Sequence, residues 1–245
     1  MKVELMLVGD ELLTGQLDPY PAELMQAIRS RGSLITRVTI LMDDIGAIAE
    51  ELSSAIERRP DLILIAGGLG PTIDDVTRHA LASFLKRKLS VNEDALSWLR
   101  EAYHTRHGEE LSADSPTTLM AMVPEGMEAL RNPVGMACGI RAKVGGTMII
   151  CLPGFPKEMR SMFHLYVLPI LNDEGIFEKE VRVMLGETSL EPIFQLIAKQ
   201  FEVRLSSLPR ENWRQEGGNT VVIKGRKEEV ERACTYFMEM LKNRT

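Results

Sequence analysis

The chain has 245 residues, a formal charge of −6, and apolar and charged fractions of 44% and 26%, enough for one large domain or for a medium domain with a small companion. The acidic balance argues against nucleic-acid binding, which needs a basic excess to neutralise phosphates. Glu4, Asp10 and Glu11 break the first apolar run, against a signal peptide or membrane span there, and the three scattered cysteines (Cys138, Cys151, Cys234) fit reduced thiols of a cytoplasmic protein.

Val3 to Val8 is a short apolar run that ends at Gly9, the length of a strand. Pro21 to Arg31 has helical spacing and a glycine stop, Leu34 to Leu41 is rich in β-branched residues, and Ile45 to Arg59 is again helical. Leu62 to Ala66 is a continuous apolar strand broken by Gly67-Gly68, and Asp74 to Lys86 reads as a helix. Asn92 to Tyr103 is helical in period, Gly108 to Pro133 is mostly loop, and Thr147 to Leu152 is a further buried strand before Pro153-Gly154 and a helix through Met162. This alternation predicts an α/β fold, a three-layer, mostly parallel sheet covered on both faces. A boundary near 171–175 separates residues 1–171 from a small α+β domain, 176–245, whose segments read β-α-β-β-α.

Each of the first three strands runs into paired carboxylates: Asp10 and Glu11, Asp43 and Asp44, Asp74 and Asp75. Ligands of open α/β sheets bind just beyond the carboxyl ends of the strands. Glu11, Asp43, Asp74 and Asp75 are therefore candidate ligands for a divalent cation such as Mg²⁺, Mn²⁺ or Co²⁺. The plainer reading is helix capping, because aspartate favours helix starts. His104 and His107 share a helical spacing, which fits a solvated surface better than a metal site.

Gly67-Gly68-Leu69-Gly70-Pro71-Thr72 joins a buried strand to a helix. Glycines there let backbone N–H groups approach an anion at a helix start. Thr72 is placed either to cap the helix or to donate to a phosphate oxygen. The spacing is neither a Walker loop nor G-x-G-x-x-G. Phosphates beside carboxylates repel unless a cation bridges them, so the two features together suggest metal-phosphate chemistry.

Gly9-Asp10-Glu11-Leu12-Leu13-Thr14-Gly15-Gln16 and the run from Gly67 to Thr77 (GGLGPTIDDVT) resemble the N-terminal domain of the CinA family, within the molybdopterin-binding superfamily of MogA, MoaB and MoeA. Asn132-Pro133-Val134-Gly135 with Gly139, and LPGFPKEM (Leu152 to Met159), match two further blocks in the same order, so the resemblance covers residues 1 to about 170. It implies a homo-oligomer that binds a phosphorylated nucleotide or pterin at Gly9, Glu11, Gly67, Gly68, Gly70, Thr72, Asn132, Pro133, Gly135 and Gly154. It also implies Asp43 and Asp75 as catalytic carboxylates. In CinA-like proteins the domain is associated with metal-dependent hydrolysis of ADP-ribose to AMP and ribose 5-phosphate; in the MogA branch it supports adenylylation of molybdopterin. The family's D-T-N is replaced here by Asp18-Pro19-Tyr20-Pro21. The expected function is thus a nucleotide pyrophosphatase, with a molybdopterin-binding or adenylylating protein and a non-catalytic nucleotide-binding module as alternatives.

Overall fold

The computed structural model describes residues 1–14, 20–171, 177–208 and 218–242; the side chains of Tyr20 and Pro21 are not described. The end of the first glycine motif and Asp18-Pro19 lie outside these residues. Contacts divide the chain into two compact units, Met1–Ile28 with Leu34–Leu171, and Arg29–Ser33 with the described part of Asn172–Thr245.

The first unit is built on a six-stranded sheet. Strands β1 (Lys2–Val8), β2 (Leu34–Leu41), β3 (Leu62–Ala66), β6 (Glu128–Leu130), β7 (Gly139–Val144) and β8 (Thr147–Leu152) lie in the order β2-β1-β3-β8-β7-β6. The four strands β2, β1, β3 and β8 are parallel, and β7 and β6 extend the sheet antiparallel. Strand β7, absent from the sequence reading, forms a hairpin with β8 across Gly145-Gly146. Two short strands pair separately: β4 (Leu89–Val91), between the segments read as helices, and β5 (Met122–Pro124), inside the stretch read as loop.

The continuous apolar strands are explained by burial on both faces. Met6, Val8, Ile63, Ile65, Ile149 and Cys151 belong to one core, and Leu5, Leu7, Leu62, Leu64, Ile150 and Leu152 to the other. Alternation with period two sends successive side chains to opposite faces. The first core is closed by α3 (Ile45–Arg58), α4 (Thr77–Leu85) and α5 (Glu93–His107); the second by α2 (Tyr20–Ser30) and α6 (Pro156–Met162). A single turn, α1 (Asp10–Leu13), follows β1. Helix α3 shows the logic: Ile48, Leu52 and Ala55 at one-turn intervals are fully buried, and the Asp44 carboxylate accepts from the Ala47 N–H at 2.7 Å as its N-cap. Burial of each large aliphatic side chain contributes about 1.5–3 kcal/mol. Helix α4 begins at Thr77, later than the sequence suggests, because Asp74 and Asp75 are held in the preceding loop.

A buried carboxylate sits in the central sheet. Glu4 of β1 is 3% exposed and takes a two-pronged bond from Arg58, whose Nε and Nη2 donate at 2.8 and 2.6 Å. Arg58 also donates to Glu51 at 2.6 Å, and these carboxylates push its pKa up.

The second unit has the order read from the sequence. Strand β9 (Phe177–Val183), helix α7 (Glu187–Gln200), strands β10 (Val203–Leu208) and β11 (Asn219–Gly225) and helix α8 (Lys227–Lys242) form a three-stranded antiparallel sheet, β10-β11-β9, with its own core around Ile193, Ile223 and Phe237. Among the described residues, no helix is long and apolar enough to cross a membrane.

Candidate functional site

The parallel register puts Val8, Leu41, Ala66 and Leu152 at one edge of the sheet. The loops leaving β1, β2, β3 and β8 therefore converge there. They surround a cleft of about 440 Å³ lined by Gly9, Glu11, Asp43, Gly67, Gly68, Gly70, Asp74, Asp75 and Gly154, together with Leu69, Arg106, Met136, Phe155 and Glu158. Every one of the first nine was singled out from the sequence. Thr72, Asn132, Pro133 and Gly135 lie outside this lining; the last three border an adjoining hollow.

The glycine loop is held from behind. Gly67 and Gly68 have φ of +118° and +66°, where a side chain is strained, and a Cβ on Gly68 would strike the Thr77 hydroxyl. The Gly67 carbonyl accepts from Thr77 Oγ1 at 2.8 Å and the Gly68 carbonyl from the Thr77 N–H at 3.1 Å. The Leu69 and Gly70 carbonyls accept from the guanidinium of Arg78, the latter at 2.7 Å. All four carbonyls are thus turned toward the start of α4. The N–H groups of Gly68 and Leu69 have no acceptor among the described residues. Backbone donors beside a helix start suit an anion.

Arg78 is 1% exposed, and burial pushes its pKa down, opposed in part by Asp75. The sequence reading missed it, since a basic residue in a first helical turn reads as solvated surface. Its signal lies in the burial of its neighbours Thr77, Ala80 and Leu81 on the same helix.

The three acidic pairs separate into different roles. Asp75 closes the loop: Oδ1 accepts from the Gly70 N–H at 2.7 Å, and Oδ2 from the Thr72 N–H and hydroxyl at 2.9 and 2.5 Å. The Thr72 hydroxyl, expected at a helix cap or a phosphate, is instead committed to Asp75, and it also draws the exposed Asp74 carboxyl below its ordinary range. Asp43 and Asp10 tie the β1 and β2 loops reciprocally, each N–H donating to the other's carboxylate at 3.1 and 3.2 Å. Burial and the nearby charges of Asp10, Glu11 and Asp74 raise the Asp43 pKa, the Asp10 N–H opposing them. Asp44 is a helix cap, as the plainer reading had it. Glu11, Asp43, Asp74 and Asp75 share the cleft, yet among the described residues no three His, Cys, Asp or Glu side chains are grouped to hold a metal ion. The expected four-carboxylate ligand set is therefore not assembled. Both histidines of the 104/107 pair are exposed, and His107 stacks on Tyr103.

Asn132, which is 8% exposed, braces the lining residues Ala137 and Glu158 from outside the cleft. Its Oδ1 accepts from the Val134 and Gly135 N–H groups at 3.1 and 2.9 Å; its Nδ2 donates to the Ala137 carbonyl at 3.0 Å and to Glu158 Oε2 at 2.6 Å. Gly135 lies so close to the Glu158 carboxylate that a Cβ would collide with it. Burial raises the Glu158 pKa, partly offset by Asn132 and by the charge of Arg106.

Comparison with known proteins identifies the domain that carries this cleft. Residues 4–173 match the family described as "Probable molybdopterin binding domain". The chain belongs to that family. A protein of Pyrococcus horikoshii is 37% identical over 214 residues, 84% of this chain and 84% of that one. A "CinA-like protein" of Salinibacter ruber is 37% identical over 198 residues, 78% of this chain but 47% of its own length. The crystal structure of CinA from Thermoplasma acidophilum, described as of unknown function, superposes with a TM-score of 0.61 at 32% identity, covering 67% of this chain and 96% of that one. The matched span covers the sheet, the glycine loop and the Asn132 brace of this molybdopterin-binding domain, and leaves most of the second unit outside.

Within that domain the buried thiols are structural. Burial pushes Cys138 up to about 11 and Cys151 to about 12, so neither ionises near neutral pH.

Proposed function

We propose that the protein binds a phosphate-bearing pterin or nucleotide of the molybdopterin type, with its phosphate on the N–H groups of Gly68 and Leu69. The observation that carries this reading is the loop whose carbonyls are all turned to Thr77 and Arg78, while the N–H groups of Gly68 and Leu69, two residues of the cleft lining, have no acceptor among the described residues. Phe155, 65% exposed in the cleft lining, offers an apolar face for a planar ring. The family match supports the pterin-binding reading over metal-dependent hydrolysis of ADP-ribose. Hydrolysis would need Asp43 and Asp75 as metal ligands, and both are already engaged in holding loops together.

The test is amide NMR of the ¹⁵N-labelled protein titrated with AMP and with a phosphorylated pterin. The Gly68 and Leu69 amide resonances should move first and saturate with a single affinity. Saturable binding that leaves both unmoved would place the phosphate elsewhere and overturn the reading.

A further inference from the structure

The six-stranded sheet ends on one side at β6, three residues long, and on the other at β2, eight residues long. A free edge is guarded by a short strand, by proline or by lysine. Strand β2 (LITRVTIL) has neither proline nor lysine, and Thr36, Arg37 and Val38 at its middle are exposed. Thr36 is bulged against β1, and Arg37 to Leu41 run in regular register. The Gly9 N–H donates to the Leu41 carbonyl at 3.0 Å. In a parallel ladder alternate residues turn their main-chain groups to the same neighbour, so Leu41, Thr39 and Arg37 face β1 while Val38 and Ile40 present theirs to the open side.

The side chains along this edge are apolar and charged in a self-complementary order. Val38 is 40% exposed, and Met42, just past the strand, 50%. Arg37 has no ion pair among the described residues. Two residues on, Thr39 donates to Glu51 Oε1 of α3 at 3.5 Å, and Arg58 donates to the same oxygen at 2.6 Å. Oε2 of Glu51 has no donor among the described residues. An unpaired cation in mid-edge discourages pairing with most strands, yet it fits one register of this strand on itself. An antiparallel second copy with its two-fold axis at Val38 sets Val38 against Val38 as a hydrogen-bonded pair. Arg37 then opposes Thr39 of the second copy as a non-hydrogen-bonded pair, with Cα atoms about 4.5 Å apart. From there each guanidinium reaches the open oxygen of Glu51 of the other copy, and symmetry makes the contact twice. An axis at Arg37 would instead oppose the two cations, and one at Thr39 would set Arg37 against Leu41.

We propose that β2 is a docking edge for a second copy of this chain, paired antiparallel about Val38 and fastened by two Arg37–Glu51 ion pairs across the two-fold axis. The six-stranded sheet is then continuous through both copies. Because the paired strands run in opposite directions, the two clefts beyond the carboxyl ends of the strands lie at opposite ends of the joint sheet.

Sedimentation velocity of the full chain at micromolar concentration tests it. Wild type should sediment as a dimer. Val38→Lys places two cations on the axis and should give a monomer. Arg37→Glu turns both ion pairs into repulsions and should weaken the dimer roughly tenfold. Circular dichroism checks that both variants are folded. A second measurement reads the register directly and decides the matter if a variant fails to fold. Cys138, Cys151 and Cys234 are buried, so Val38→Cys adds an accessible thiol on the axis, and mild oxidation should link it into a covalent dimer on a denaturing gel. Val91→Cys, 45% exposed on β4, should link far more slowly. A monomeric wild type, a dimer undiminished in folded Val38→Lys or Arg37→Glu, or linking of Val38→Cys no faster than of Val91→Cys overturns the proposal.

Discussion

Replacing Asp75 by Asn separates a loop brace from a metal ligand. The two Asp75 oxygens divide the work: Oδ1 holds the Gly70 N–H, and Oδ2 holds the N–H and hydroxyl of Thr72. An amide has one acceptor oxygen, so one side of the loop would face an NH₂ group that cannot accept. Loss of one charge-assisted bond costs about 1.5–3 kcal/mol. Against this, removing a negative charge from the cleft favours an anion, by about 1 kcal/mol in a solvent-open site. The bond loss wins, and with about 1.4 kcal/mol per decade the AMP affinity should fall roughly tenfold. Calorimetry measures the affinity, and hydrogen exchange of the Gly70 and Thr72 amides should accelerate with it. Asp75→Asn that binds AMP as tightly as wild type, yet loses a metal-dependent cleavage of ADP-ribose, would refute the reasoning and make Asp75 a catalytic carboxylate.

Three further outcomes follow from the same geometry. Glu158 has a raised pKa, so on acidification it takes up its proton sooner than an ordinary glutamate; AMP affinity measured from about pH 7 down to about pH 5 should therefore rise more in wild type than in Glu158→Gln, and identical profiles would remove Glu158 from the site. The same sign makes its contribution to folding stability fullest below the unfolded-state pKa and lost as pH rises through the folded value. Arg58→Met strands the buried Glu4 carboxylate and should cost about 3 kcal/mol by urea unfolding, toward the lower end for a buried pair because Arg58 is partly exposed; Glu4→Gln with Arg58→Met should recover most of it, and an undiminished loss in the double variant would contradict that account. Thr77→Val deletes the hydroxyl that holds the Gly67 carbonyl and should weaken AMP binding about three- to tenfold, with Thr77→Ser near wild type; equal loss in both would point to packing instead.

Much of the fold was legible because buried parallel strands announce themselves. Leu62 to Ala66 and Thr147 to Leu152 are read from the sequence with the bounds they have in the fold. Strand β7 was not, since Arg141 and Lys143 interrupt its apolar residues and only the Gly145-Gly146 turn marks the hairpin. The converging loops were legible from glycines and acids just past strand ends. What they do for each other was not. Whether Asp75 starts a helix or braces a loop depends on where the Gly70 and Thr72 N–H groups point. The bond from Asn132 to Glu158 spans 26 residues, and Arg106 reaches the cleft from a helix whose period shows no functional face. These are consequences of packing, which local pattern does not encode.

The acidic cleft and its anion cradle are compatible because the cradle draws its polarity from behind. Each peptide unit couples its carbonyl to the N–H of the next residue. The Gly67 carbonyl shares a peptide with the Gly68 N–H, and the Gly68 carbonyl with the Leu69 N–H. Those are the two carbonyls that accept from Thr77, so both unpaired donors belong to peptides polarised by a bond on their far side. Arg78 does the same for the next two peptides and lends a buried positive charge, while Asp75 accepts the Gly70 N–H that this arrangement also strengthens. Donors that are polarised and fixed before the ligand arrives need little reorganisation to receive a phosphate. Flanking carboxylates then hold the loops in position around those donors.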